Sequence, residues 1–129
     1  MAELQPHQFM KAFHPGEYAH KWRGVASNRE FLKGEPIEDL IENVEQRGVQ
    51  TPVSVYNNIV VDGHHRVIAA AVSGTPIPYE VTEDPKYRDQ DALARTARIQ
   101  GRSGLMPSSS SVDRTSVPPR LRKYLGWKT

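Results

Sequence analysis

Five consecutive residues, Asp62-Gly63-His64-His65-Arg66, carry most of the chemistry this chain can offer. They follow the apolar run Ile59-Val60-Val61 and lead into Val67-Ile68-Ala69-Ala70-Ala71, so an apolar strand passes through a glycine into cation-capable side chains and then an apolar helix. A helix start leaves backbone N–H donors without partners and carries the positive end of the helix dipole, which suits such a junction to phosphate. Gly63 lets the backbone approach a ligand closely. Arg66 stays charged and offers a fixed fork of donors that can hold two phosphate oxygens. The phosphate-binding candidates are therefore Gly63, His64, His65 and Arg66.

The same stretch supplies the catalytic candidates Asp62, His64 and His65. Either histidine could move a proton near neutral pH, provided a proton partner is positioned for it. The plainer alternative for His64 is a solvent-exposed side chain with no catalytic role. Asp62 could orient a histidine or hold magnesium through a water, but its simplest role is to cap the helix that follows. A metal site built from Asp62, His64 and His65 is disfavoured, because neighbouring residues on a helix diverge by about 100°. Further ligands would have to come from His7, His14 or His20, so the metal ligands are left unassigned.

The surrounding elements follow from periodicity. Pro36 suits a first helical turn, Ile37, Leu40, Ile41 and Val44 share one helix face, and Gly48 after Arg47 is a stop signal. The acidic residues Glu35, Glu38, Asp39 and Glu42 complement the dipole and read as a solvated face. Ser27 or Asn28 can cap a short helix through Lys33, ended by Gly34. Val53–Tyr56 and 59–61 form a predicted hairpin about Asn57-Asn58. The helix after Gly63 is apolar on most sides, which implies burial, and Gly74 ends it. Ile77–Val81 reads as a strand that Pro78 should place at a sheet edge or make irregular at its start. Residues 1–26 show little periodicity beyond a turn at His14-Pro15-Gly16 and an apolar stripe of Tyr18, Trp22 and Val25 on one short helix. Between Asp91 and Gln100 a helix is predicted on a weak face of Leu93, Ala97 and Ile99.

Composition sets the limits. The chain has 129 residues, enough for one domain with a modest core. Its mean hydropathy of −0.62 leaves part of it outside that core. The absence of cysteine excludes disulfides, thiolate nucleophiles and cysteine-ligated zinc. Nothing resembles a leader or a membrane-spanning run, so cytoplasmic residence and no membrane partner are the expectation. Residues 1–85 carry 7 Lys and Arg against 12 Asp and Glu, whereas residues 86–129 carry 10 against 3. That asymmetry predicts an acidic body with a basic arm suited to nucleic acid or another polyanion. Residues 101–119, with Ser108-Ser109-Ser110-Ser111, read as a linker, and a tail containing Arg120, Arg122, Lys123 and Lys128 with Tyr124 and Trp127 follows. The four cations are the nucleic-acid-binding candidates, with docking of Leu121, Tyr124, Leu125 and Trp127 on the core as the competing arrangement. The expected organisation is an N-terminal extension over 1–26, a small α+β (α/β) domain over 27–100 and a flexible basic arm over 101–129.

From Pro36 to Val81, roughly 46 of the 129 residues, the chain resembles the ParB/sulfiredoxin superfamily. The resemblance lies in the amphipathic helix, Gly48-Val49-Gln50-Thr51-Pro52-Val53, the hairpin, Asp62-Gly63-His64-His65-Arg66, the alanine-rich helix and Ile77-Pro78. It implies a compact mixed sheet with packed helices and a nucleotide-phosphate site. The ParB motif reads Gly-Glu-Arg-Arg, matched here at Gly63 and Arg66. The sulfiredoxin motif reads Gly-Cys-His-Arg, matched at Gly63, His65 and Arg66, with His64 where the catalytic cysteine would stand, so sulfiredoxin activity is not expected. The 48 residues after Val81 do not accommodate the helix-turn-helix and dimerisation regions of full partition proteins, and centromere-type recognition is not expected either. The acidic and amide partners of a Glu-Asn-x-x-Arg element are missing around Arg95 and Arg98.

These readings converge on a ParB-like protein that binds nucleotide or nucleic-acid phosphates, with phosphohydrolase or DNA nuclease activity as candidate reactions. Nucleoside triphosphate and magnesium are the implied cofactors. The alternatives are a nucleotide-dependent small-molecule (serine-type) kinase, which needs a catalytic carboxylate not located in the sequence, and a non-catalytic adaptor or inhibitor. The truncated layout is analogous to phage or plasmid accessory proteins.

Overall fold

The computed structural model describes residues 2–34, 36–100 and 117–126. They form a small α+β fold around one mixed sheet. Its strands are β1 (Ala2–Leu4), β2 (His14–Pro15), β3 (Val53–Tyr56), β4 (Ile59–Asp62) and β5 (Ile77–Val81), in the order β1-β5-β3-β4-β2. The β3–β4 hairpin is antiparallel, turning at Asn57, whose φ is 51°. Strand β5 runs parallel to β3 and antiparallel to β1, and β2 runs parallel to β4.

Alternation along the hairpin sends side chains to two cores. Val53, Val55 and Val60 face the larger one, while Ile59 and Val61 face a smaller one completed by Ala94 and flanked by Tyr56 and Tyr87. Strand β4 is thus covered on both faces, which explains its unbroken apolar run. The larger core centres on α5 (His64–Ser73), where Val67, Ile68, Ala69 and Ala70 are fully buried. Small alanines let α4 (Ile37–Arg47) pack closely beside it through Ile37, Ile41 and Val44. Gly74, in the left-handed conformation at φ 73°, closes α5 as its sequence position requires.

Several expectations are corrected. Residues 2–26 are not an appendage: β1 and β2 form both sheet edges, while Phe9 of α1 (Pro6–Ala12) and Trp22 and Val25 of α2 (Trp22–Ala26) enter the core. Strand β5 is not at an edge, because β1 covers it. Its proline is tolerated because the β3 ladder begins at Tyr79, past Pro78, and Pro78 pairs only with Glu3. The helix α6 (Arg88–Gln100) buries Asp91, Ala94 and Ala97 and leaves Leu93 and Ile99 exposed, so Ala97 alone of the predicted stripe lies on the packed face.

The free basic arm is corrected for residues 117–126. Here α7 (Pro119–Tyr124) lies against α5, with Val117, Leu121 and Leu125 buried at a spacing of four residues. Arg23 donates to the Leu125 carbonyl, and Arg120 pairs with both carboxylate oxygens of Glu45 at 2.7 and 2.5 Å. Residues 101–116 and 127–129, including the serine run, Trp127 and Lys128, lie outside the described residues.

Candidate functional site

Strand β4 delivers the chain to Gly63, whose φ of 104° and ψ of 24° are conformations that a Cβ disfavours. The turn ends the sheet and starts α5, and the residues of the first helical turn line a cavity of about 210 Å³. Glu17, Tyr18, Val61, Asp62, Gly63, His64, His65 and Arg66 line it. The Arg66 guanidinium folds back over the turn, so that a Cβ at residue 63 would lie 2.9 Å from its terminal nitrogen. Its contacts within the protein are long: 3.3 Å to the Pro52 carbonyl and 3.5 Å to Asp62. The buried Nε has no hydrogen-bond partner among the described residues. Arg66 is therefore held loosely at a polar opening, with donors to spare.

The two histidines have different tasks. His64 is buried, at 4% exposure, which corrects the expectation of a surface side chain. Its Nε2 accepts the Gly16 N–H at 3.1 Å, which requires a neutral ring with the proton on Nδ1. Burial, reinforced by the charges of His65 and Arg66, lowers its pKa to about 3. A ring that stays neutral and is committed to a backbone donor is a structural acceptor here, not an acid at neutral pH. His65 lies nearer the opening, stacked on Phe31 with ring centres 4.1 Å apart and planes 8° apart. Its Nε2–H donates to the Phe31 carbonyl at 2.7 Å, which fixes the ring plane. Phe31 belongs to α3 (Arg29–Gly34), whose start is capped by Asn28 Oδ1 accepting from Glu30 N and Phe31 N. Asn28 also donates to the Tyr18 carbonyl at 3.1 Å, pinning Tyr18 at a φ of 75°. The Tyr18 ring meets the edges or faces of Phe31, His64 and His65.

Asp62 does not cap α5, which starts at Gly63 without a side-chain cap bond. Its carboxylate turns instead toward Arg66 four residues on, and Asp62 lines the same cavity as Glu17. Glu17 is the group that sequence reasoning missed. Burial, and next the negative charge of Asp62, push its carboxyl above the ordinary carboxylate range, while His65 opposes them. No short motif could flag it, since it lies 45 residues before Asp62 and in a segment without periodicity. Among the described residues there is no group of three or more His, Asp or Glu arranged to hold a metal ion.

The described basic tail candidates, Arg120, Arg122 and Lys123, lie elsewhere. Arg120 is neutralised by Glu45, and with Lys123 and Tyr124 it borders a separate cavity beside Val72. Arg122 is on the same short helix, and its Nε has no hydrogen-bond partner among the described residues. None of them lines the cavity at Gly63. Comparison with models of protein families, with curated proteins and with solved structures gives no match to this chain.

Proposed function

We propose that this chain is a ParB/sulfiredoxin-like domain that binds the phosphates of a nucleotide or a nucleic acid at the Gly63–Arg66 turn. The observation that carries the reading is the Arg66 guanidinium, loosely held over a positive-φ glycine at the mouth of a polar cavity. Phosphate oxygens supply the acceptors its fork lacks, and the first-turn amides of α5 add neutral donors. His65, fixed by Phe31, lines the same opening; His64 supports the turn from beneath. Magnesium, brought with the phosphates, would lie toward Asp62 and neutralise charge there. Hydrolysis of a phosphate ester additionally needs a group to take a proton from water, and Glu17 is the carboxylate available for it.

Glu17 also favours the second reading, a nucleotide-dependent kinase acting on a small hydroxyl compound, by providing the carboxylate that the sequence did not reveal. Calorimetric titration of ATP, with and without magnesium, tests binding, and Arg66→Ala should abolish most of it. Product analysis separates the reactions: free phosphate or cut DNA marks hydrolysis, whereas a phosphorylated small acceptor marks the kinase. Native protein that binds neither ATP nor short DNA refutes the phosphate site.

A further inference from the structure

Glu17 sits on the loop after β2, a segment whose own sequence gives it no rigid local structure. Gly16 nevertheless has both backbone groups engaged by side chains distant in sequence. Its N–H donates to His64 Nε2 at 3.1 Å, and its carbonyl accepts from Gln90 Nε2 at 2.9 Å. There is no room for a side chain between them, since a Cβ on Gly16 would lie 2.2 Å from the Val60 carbonyl oxygen and 2.9 Å from Gln90 Nε2. Gln90 is itself anchored, because the adjacent Asp91 is buried on α6 and accepts from Asn57 Nδ2 at 3.0 Å and from Arg95 at 2.9 Å. On the far side, Tyr18 is pinned by Asn28.

We infer that His64 and Gln90 are positioning residues, a two-sided clamp on Gly16 that holds Glu17 on the wall of the cavity it shares with Asp62. The functional consequence rests on the phosphate-site reading; the clamp itself does not. His64 thus occupies the middle of the motif to hold the opposite wall in place, and α6 becomes part of the site without touching the cavity. The neutral ring is essential, as only an unprotonated Nε2 can accept the Gly16 N–H.

The clamp can be tested with no nucleotide present. NMR of the full chain reads Gly16 amide exchange and the titration midpoint of the Glu17 carboxyl. His64→Leu keeps bulk but removes the acceptor. It should speed Gly16 exchange by roughly tenfold or more, the scale of one lost buried hydrogen bond, and return Glu17 toward the ordinary carboxylate range. His64→Gln, whose amide oxygen reaches about where Nε2 lies, should preserve both readouts. Gln90→Ala removes no core volume and should move them in the direction of His64→Leu, which keeps the test intact if the leucine variant does not fold. The inference is overturned if Gly16 stays protected in Gln90→Ala and in folded His64→Leu. It is equally overturned if Gly16 exchanges freely while Glu17 titrates as in the native protein. Loss of ATP binding in Arg66→Ala bears on the phosphate site alone.

Discussion

Replacing Arg66 by alanine should separate binding from stability, because the structure gives the residue little to do in the unliganded fold. Its two contacts, at 3.3 and 3.5 Å, are long for hydrogen bonds, and its Asp62 partner side chain is 69% exposed. An ion pair of that kind contributes about 0–1 kcal/mol. Removing the side chain also removes a buried Nε that lacks a partner, which offsets part of any loss. The net effect on unfolding should therefore stay within about 1 kcal/mol. Binding should behave differently, since losing hydrogen bonds to a charged group costs about 1.5–3 kcal/mol, or roughly a 10- to 150-fold rise in Kd for ATP. Arg66→Lys should fall between, keeping the charge but not the planar fork. Urea unfolding and calorimetric titration of the same samples measure both quantities. A variant that loses several kcal/mol of stability while binding ATP normally would show that Arg66 braces the turn, and the phosphate-site reasoning would fail.

Four further outcomes follow from the geometry. Gly63→Ala should cost about 1–2 kcal/mol, as a Cβ is forced into positive φ, and should weaken ATP binding by displacing the guanidinium 2.9 Å away; unchanged melting and affinity would contradict the turn geometry. Leu121→Ala should destabilise by about 2–5 kcal/mol if α7 is docked in solution, read from a thermal or urea melt, whereas a change below about 1 kcal/mol would restore a free arm. Glu17→Gln should retain ATP binding and lose turnover in whichever reaction the native protein performs, and equal turnover would remove Glu17 from the chemistry. Because the folded pKa of His64, about 3, lies below its unfolded value near 6.5, its stabilisation is complete above that upper value. It is lost as pH falls toward the lower one, with a slope approaching about 1.4 kcal/mol per pH unit. His64→Gln should flatten that acid limb in pH-dependent urea unfolding, and an identical limb would show that His64 does not titrate as a buried group.

The half of the site carried by one short stretch was legible, and the half assembled across the sheet was not. Gly63, the hairpin before it and the buried helix after it are local patterns: apolar alternation, a turn pair, a glycine and an alanine-rich run. The N-terminal segment shows no such pattern because its order is imposed from outside. β2 is two residues long and exists only by pairing with β4, and Gly16 is fixed by groups 48 and 74 residues away. The same cause explains His64. Two adjacent histidines look equivalent in a sequence, yet one helical step turns the first into the interior, beneath Tyr18 and Trp22, and leaves the second on Phe31 beside the opening. It also explains the tail, where positive charge and a serine run outweighed the docking pattern of Leu121, Tyr124, Leu125 and Trp127, and where Val117, Leu121 and Leu125 are the residues buried. In a marginal core three buried apolar side chains outweigh a charge count, since Arg120 needs only Glu45 to be satisfied at the surface. Charge asymmetry along a chain reports where cations are in sequence. Whether they are free to meet a polyanion depends on acids that folding brings beside them, and here α4 supplies one.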